Sequence, residues 1–135
     1  MSHSKKIKAM YNCTPIISTG ELYSLQKWYN TLIEKTCDEI SLSDILRMFR
    51  QKMFLDLAIL KAIEILKRDI FAGELYAGEL LEKISQQDTL VISPHADILR
   101  EIVKNATDMA MAFEWSYQGE REEFLEVLEL LQSKL

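Results

Sequence analysis

LSDILRMFRQKMFLDLAILKAIEILKRDIFAGELYAGELLEKI, from Leu42 to Ile84, decides the fold. Its middle, Phe54 to Leu66, is the most apolar run of the chain and is interrupted only by Asp56, Lys61 and Glu64. At 100° per residue these three side chains, with Lys67 and Arg68, fall within an arc of about 140°. Leu57 and Leu60 project from inside that arc, and every other bearing is aliphatic or aromatic. A helix apolar over so much of its circumference needs neighbours on several sides. The expectation is an all-α protein, a single compact multi-helix domain around this central helix, with a further helix covering the polar arc.

Working outward, Ser41-Leu-Ser-Asp44 fits the capping signature [ST]-x-x-[DE] and predicts a helix start. Ile45, Leu46 and Phe49 form the buried side of that helix, and Arg47, Arg50, Gln51 and Lys52 make the other side basic. Its periodicity leaves open whether it bends into the central helix near Met53-Phe54 or breaks there. Upstream, Leu22, Leu25, Trp28 or Tyr29, Leu32 and Ile33 recur at helical spacing, which predicts a helix over residues 21–35 capped by Ser18 or Thr19. Residues 1–20 read as a flexible N-terminal arm, and residues 21–135 as a single helical domain.

Downstream, Asp69 to Gly73 reads as a helix exit with Gly73 as a left-handed cap, and Tyr76 as a lid on the central helix's end. A short helix begins at Glu79. Leu90-Val-Ile92 reads as a short strand or a buried linker, and Ser93-Pro94 as the start of a helix reaching to about Tyr117. Gly119 breaks that helix and Glu120 begins the last. On the last helix Phe124, Val127, Leu128, Leu131 and Leu135 share one face, and Glu122, Glu123, Glu126 and Glu129 the other.

Composition excludes more functions than it suggests. The chain has 135 residues, 48% of them hydrophobic, with only 2 Pro and 4 Gly, which favours long helices. No apolar run approaches the ~20 residues that span a bilayer, and the N-terminus lacks the apolar core of a secretory signal, so a cytoplasmic location is expected. Cys13 and Cys37 are accordingly expected to be reduced. A net charge of -5 argues against direct nucleic-acid binding and permits a basic partner. His3 and His95 stand alone, and there is no phosphate loop, dinucleotide fingerprint, CxxC or HExxH. No catalytic residue, cofactor or metal is expected.

The acidic face of the last helix is the candidate partner-binding surface: Glu122, Glu123, Glu126 and Glu129, with Glu114 and Glu120 at its margin. Like charges at i+3 and i+4 cost roughly 0.2–0.5 kcal/mol each. Two readings stay open here: a solvated face of good helix formers, and a surface that steers an oppositely charged partner.

The order of Asp44 to Gln51, a D-[IL]-L-x-x-x-R-Q helix, then the Ala- and Ile-rich Ala58 to Asp69, then GELYAGELL from Gly73 to Leu81, resembles the family of contact-dependent growth inhibition (CDI) immunity proteins of Gram-negative bacteria. The resemblance covers roughly residues 22–84. It implies a cytoplasmic protein without activity of its own that binds and neutralises the C-terminal toxin domain of a cognate effector. Many such toxins are nucleases and many are basic. The motifs describe a scaffold, so no toxin-contacting residue carries over from them. The alternative is a non-enzymatic helical adaptor or homo-oligomerisation module, using Leu57 and Leu60 as its apolar surface.

Overall fold

A computed structural model describes residues 5–17, 20 and 22–135. Helices account for the regular structure, and no strand occurs among the described residues beyond an isolated antiparallel bridge between Lys6 and Thr36. The backbone contacts fall into two units, Met1–Asp44 and Ile45–Leu135.

The first unit holds α1 (Ile7–Tyr11), α2 (Ser24–Leu32), a 3-10 turn (Cys37–Glu39) and the start of α3 (Leu42–Gln51). The caps expected at Ser18 or Thr19 lie outside the described residues; α2 begins after Tyr23, whose N–H donates to the Gln26 side chain at 2.9 Å. Part of the segment expected to be an arm is pinned. Ile7 and Lys8 donate backbone hydrogen bonds to Lys35 and Ile33, and Ile7 is buried. Lys6 and Lys8 both reach Glu34. A single apolar side chain with a place to dock outweighs the polar sequence around it. The capping box forms as expected: Ser41 N–H donates to Asp44 Oδ2, and Asp44 N–H to Ser41 Oγ, both at 3.1 Å. Cys37 is buried with its Sγ 3.8 Å from Met10 Sδ, and neither cysteine is in a disulfide.

The second unit contains the remainder of α3, α4 (Leu55–Arg68), α5 (Glu79–Ser85), α6 (Thr89–Ile92), a 3-10 turn (Ser93–His95), α7 (Ala96–Ala110) and α8 (Glu120–Ser133). The junction after α3 is a break. Lys52 and Phe54 both adopt left-handed backbone, at φ 56° and 49°, which ends one helix and starts the next on a new axis. As expected, α4 is central: it packs against α5, α6 and α7, burying Ala58, Ile59, Ala62, Ile63 and Leu66. Its polar arc, however, is not covered; Asp56, Glu64, Lys67 and Arg68 face solvent, and Lys61 pairs with Glu64 at 2.8 Å. Leu57 is only 2% exposed and Leu60 41%, so the apolar patch of the oligomer reading shrinks to one side chain.

Three further segments differ from expectation. Gly73 is not a left-handed cap: a Cβ there would stand 2.1 Å from Tyr76 O and 2.8 Å from Glu79 Cβ, so glycine serves close approach. Leu90-Val-Ile92 is neither strand nor buried linker but one helical turn, with Ile92 buried and Leu90 87% exposed. And α7 stops at Ala110, short of Tyr117. The chain leaves the helix so that Phe113 and Trp115 can join Phe71 and Phe124 in an aromatic cluster, with ring centroids 4.1–5.5 Å apart. Trp115 Nε1–H then donates to the Ala110 carbonyl at 3.0 Å, satisfying one of the orphan acceptors at the helix end.

Candidate partner-binding surface

α8 packs against α5 and α7 through Phe124, Leu128 and Leu131, which are buried. Its C-terminal end is tied down by Lys134, whose ammonium donates to the carbonyls of Ser85 and Gln87 at 2.6 and 2.9 Å. That contact also satisfies acceptors at the end of α5. The outward side of α8 is thereby fixed in direction. Glu122, Glu126 and Glu129 fall within about 60° of its circumference and are exposed. Glu122 lies 3.6 Å from the neighbouring Arg121 guanidinium, a loose and solvated pair. The carboxylates of Glu114, Glu126 and Glu129 make no ion pair or hydrogen bond with any other described residue. The stripe is therefore anionic and almost uncompensated.

The other two acidic candidates are differently placed. Glu120 is 7% exposed and turned into the protein, where its carboxylate accepts the Ser116 N–H at 2.7 Å. It cannot meet a partner without unfolding the turn that precedes α8. Glu123 is exposed but accepts the Tyr117 hydroxyl at 2.6 Å. Both roles recur at α5. Glu79 is buried and accepts the N–H groups of Glu74 and Leu75 at 2.8 and 3.1 Å, and Tyr76 donates to Glu82 at 2.5 Å. The two segments share the pattern Tyr-x-Gly-Glu-x-x-Glu, at residues 76–82 and 117–123. In each, the glycine is left-handed (Gly78 φ 85°, Gly119 φ 97°) and stands at the helix N-cap. The buried glutamate binds the incoming loop, and the tyrosine clips the loop to the first turn.

Those hydrogen bonds hold both phenols in their protonated form. The Glu123 carboxylate beside Tyr117 pushes its pKa up to about 12. Burial, reinforced by Glu82, raises that of Tyr76 further. The two clips face one another across a cleft of about 40 Å³ floored by Phe124 and Val127. Sequence reading missed this arrangement, although two signals were available: the repeated heptapeptide, and the helical wheel, on which Glu120 falls between Val127 and Leu131 on the apolar side.

Larger concavities flank α7. An open groove of about 710 Å³ runs between α7 and α8, lined by Val103, Leu125, Leu128 and Met111, with Lys104 and Glu129 on its rims. Another of about 580 Å³ lies between α7 and the C-terminal end of α4, lined by Lys67, Ile98, Asp108 and Met109. Neither gathers the convergent titratable groups that acid–base chemistry requires. Among the described residues no group of three or more His, Cys, Asp or Glu is placed to hold a metal ion, and no helix is long and apolar enough to cross a membrane. His95 is half-buried at the start of α7, and His3 lies outside the described residues.

A family model for CDI immunity proteins matches residues 10–102, more than half of the chain. The match runs from α1 into α7 and ends before the C-terminal part of α7 and all of α8. No curated protein matches the chain.

Proposed function

The chain belongs to the family of CDI immunity proteins, and on that premise we propose that it binds and neutralises the C-terminal toxin domain of its cognate effector in the cytoplasm, without catalysis of its own. The observation that carries the choice of surface is the stripe of Glu122, Glu126 and Glu129 on α8, exposed and nearly free of compensating cations. Uniform charge of this kind steers an oppositely charged partner, so the toxin domain is basic, as a nuclease acting on a polyanion is. Glu114 and Glu123 extend the field from the margin, whereas Glu120 holds the fold and is withdrawn from the contact set.

The test uses the purified C-terminal toxin domain of the cognate CDI effector. Stopped-flow association with the wild-type protein and with Glu122→Lys/Glu126→Lys is compared at low and at physiological salt. Steering predicts that the double variant associates about tenfold more slowly at low salt, with the gap narrowing as salt rises. Equal rates at low salt would remove the acidic stripe from the interface. No binding by the wild type would remove the neutralisation reading itself.

A further inference from the structure

The acidic stripe accounts for attraction but not for a tight grip, because exposed charges change association rates more than lifetimes. The groove beside it has the complementary property. α7 and α8 are antiparallel neighbours, with the Arg100 guanidinium hydrogen-bonded to the Leu135 carbonyl at the closed end. From Arg100 to Ala110 the groove follows eleven residues of α7, about 16 Å or three helical turns, with Met111 just past the helix end. Its floor is aliphatic, from Val103 and Leu128. Its wall includes Met111, a side chain left 58% exposed. Methionine in such a wall adapts to an incoming apolar surface at little cost.

We propose that this groove seats an amphipathic helix of the toxin domain, about three turns long, which rests on the neutralisation reading above. The charges at the rim select that occupant and its direction. Arg100 and Lys104 stand toward the closed end, whereas Asp108 stands near Met111 and Glu129 on the α8 rim, continuous with the acidic stripe. Lys104, Asp108 and Glu129 form no ion pair with another described residue. A complementary helix therefore presents an apolar face to Val103 and Leu128. It presents basic side chains to Glu129 and Glu126, and an acidic end to Lys104. All of the groove's lining except Arg100 follows residue 102, where the family match ends. That is where a contact specific to one partner belongs, outside the scaffold that the family shares.

The test is kinetic and uses the same toxin domain as probe. Met111→Asp places a charge over the apolar wall, and Thr107→Trp fills the groove from an exposed position. Both are expected to bind with wild-type association rates, within about twofold, and to dissociate at least about tenfold faster, since filling a groove acts on lifetime. Unchanged thermal unfolding of the free variants shows that the fold is intact. Hydrogen exchange on the wild-type complex should show protection at residues 103–111 and 125–133. Wild-type dissociation rates in both variants would overturn the groove while leaving neutralisation standing, and failure of the wild type to bind would sink both. A concentration-dependent dimer of the chain alone, dissolved by Met111→Asp in light scattering, would show that a second copy is the occupant and overturn the proposal.

Discussion

Asp44 shows how much one carboxylate can hold together. Its two oxygens accept from Trp28 Nε1 at 3.0 Å, from Lys35 Nζ at 2.7 Å and from the Ser41 N–H, so α2, the turn after it and the start of α3 meet on one side chain. Burial raises its pKa, but Lys35, Ser41 and Trp28 together outweigh that and leave it below the ordinary value. A folded-state pKa that is depressed contributes stability above the unfolded value, near 4, and loses it as pH falls through the folded one. Urea titrations should therefore show the wild type losing stability below about pH 4, with a shallower loss for Asp44→Asn; parallel curves would mean that Asp44 does not titrate with folding. At neutral pH Asp44→Ala should cost about 1–3 kcal/mol, because it removes the acceptor of the Trp28 and Ser41 N–H groups and of the partly exposed Lys35 ammonium. The two left-handed glycines allow a cleaner separation of causes. A Cβ at Gly119 meets nothing within 4 Å, whereas one at Gly78 would stand 2.5 Å from the Phe124 ring. Gly119→Ala carries the backbone penalty alone, about 1–2 kcal/mol. Gly78→Ala adds overpacking of about 1–3 kcal/mol. Equal losses for the two in chemical denaturation would mean that the Phe124 ring yields freely.

At the scale of elements, what could be read from sequence was what local chemistry decides. The capping box at Ser41 and Asp44, the start of α8 after Gly119 and the inward stripe of α4 each depend on residues within a few positions of one another. Errors arose where a distant contact overrode a local pattern. The apolar stripe of α7 continues in sequence to Phe113, yet the helix ends at Ala110 because Phe71 and Phe124 supply a better place for that ring. In the same way, Glu120 and Glu123 look like members of a solvated acidic face until the loop before them folds back and donates to them. No window of the helix alone contains that information; the repeat at residues 76–82 does, because its glutamates stand in the same two roles. The most direct test of the element hierarchy is Ile63→Ala in α4, a 6% exposed position on the buried side of a helix with three neighbours. The expected loss is about 2–5 kcal/mol in equilibrium unfolding. A loss under about 0.5 kcal/mol would mean that α4 is not the organising helix.

For the molecule as a whole, the family match and the proposed partner surface occupy different parts of the chain. Residues 10–102 carry the family match, and the segment after them contains α8, its acidic stripe and nearly all of the groove. The motifs legible in the sequence lie inside the matched segment and record packing, so none of them points to a particular surface for a partner. On the proposed reading the stripe and the groove act on different steps of one encounter, and that difference can be measured. Charge steering works at distances comparable to the Debye length, about 8 Å at physiological salt, before the surfaces touch. Groove filling begins only after they do. Glu126→Lys should therefore lower the association rate and leave dissociation nearly unchanged, while Met111→Asp should do the reverse. Combined in one chain, the two substitutions should multiply, with a coupling of less than about 0.5 kcal/mol in the double-mutant cycle, as independent steps require. A strongly coupled cycle with both rates altered by either change would place Glu126 and Met111 in a single contact, and the toxin helix would then lie across α8 instead of along the groove.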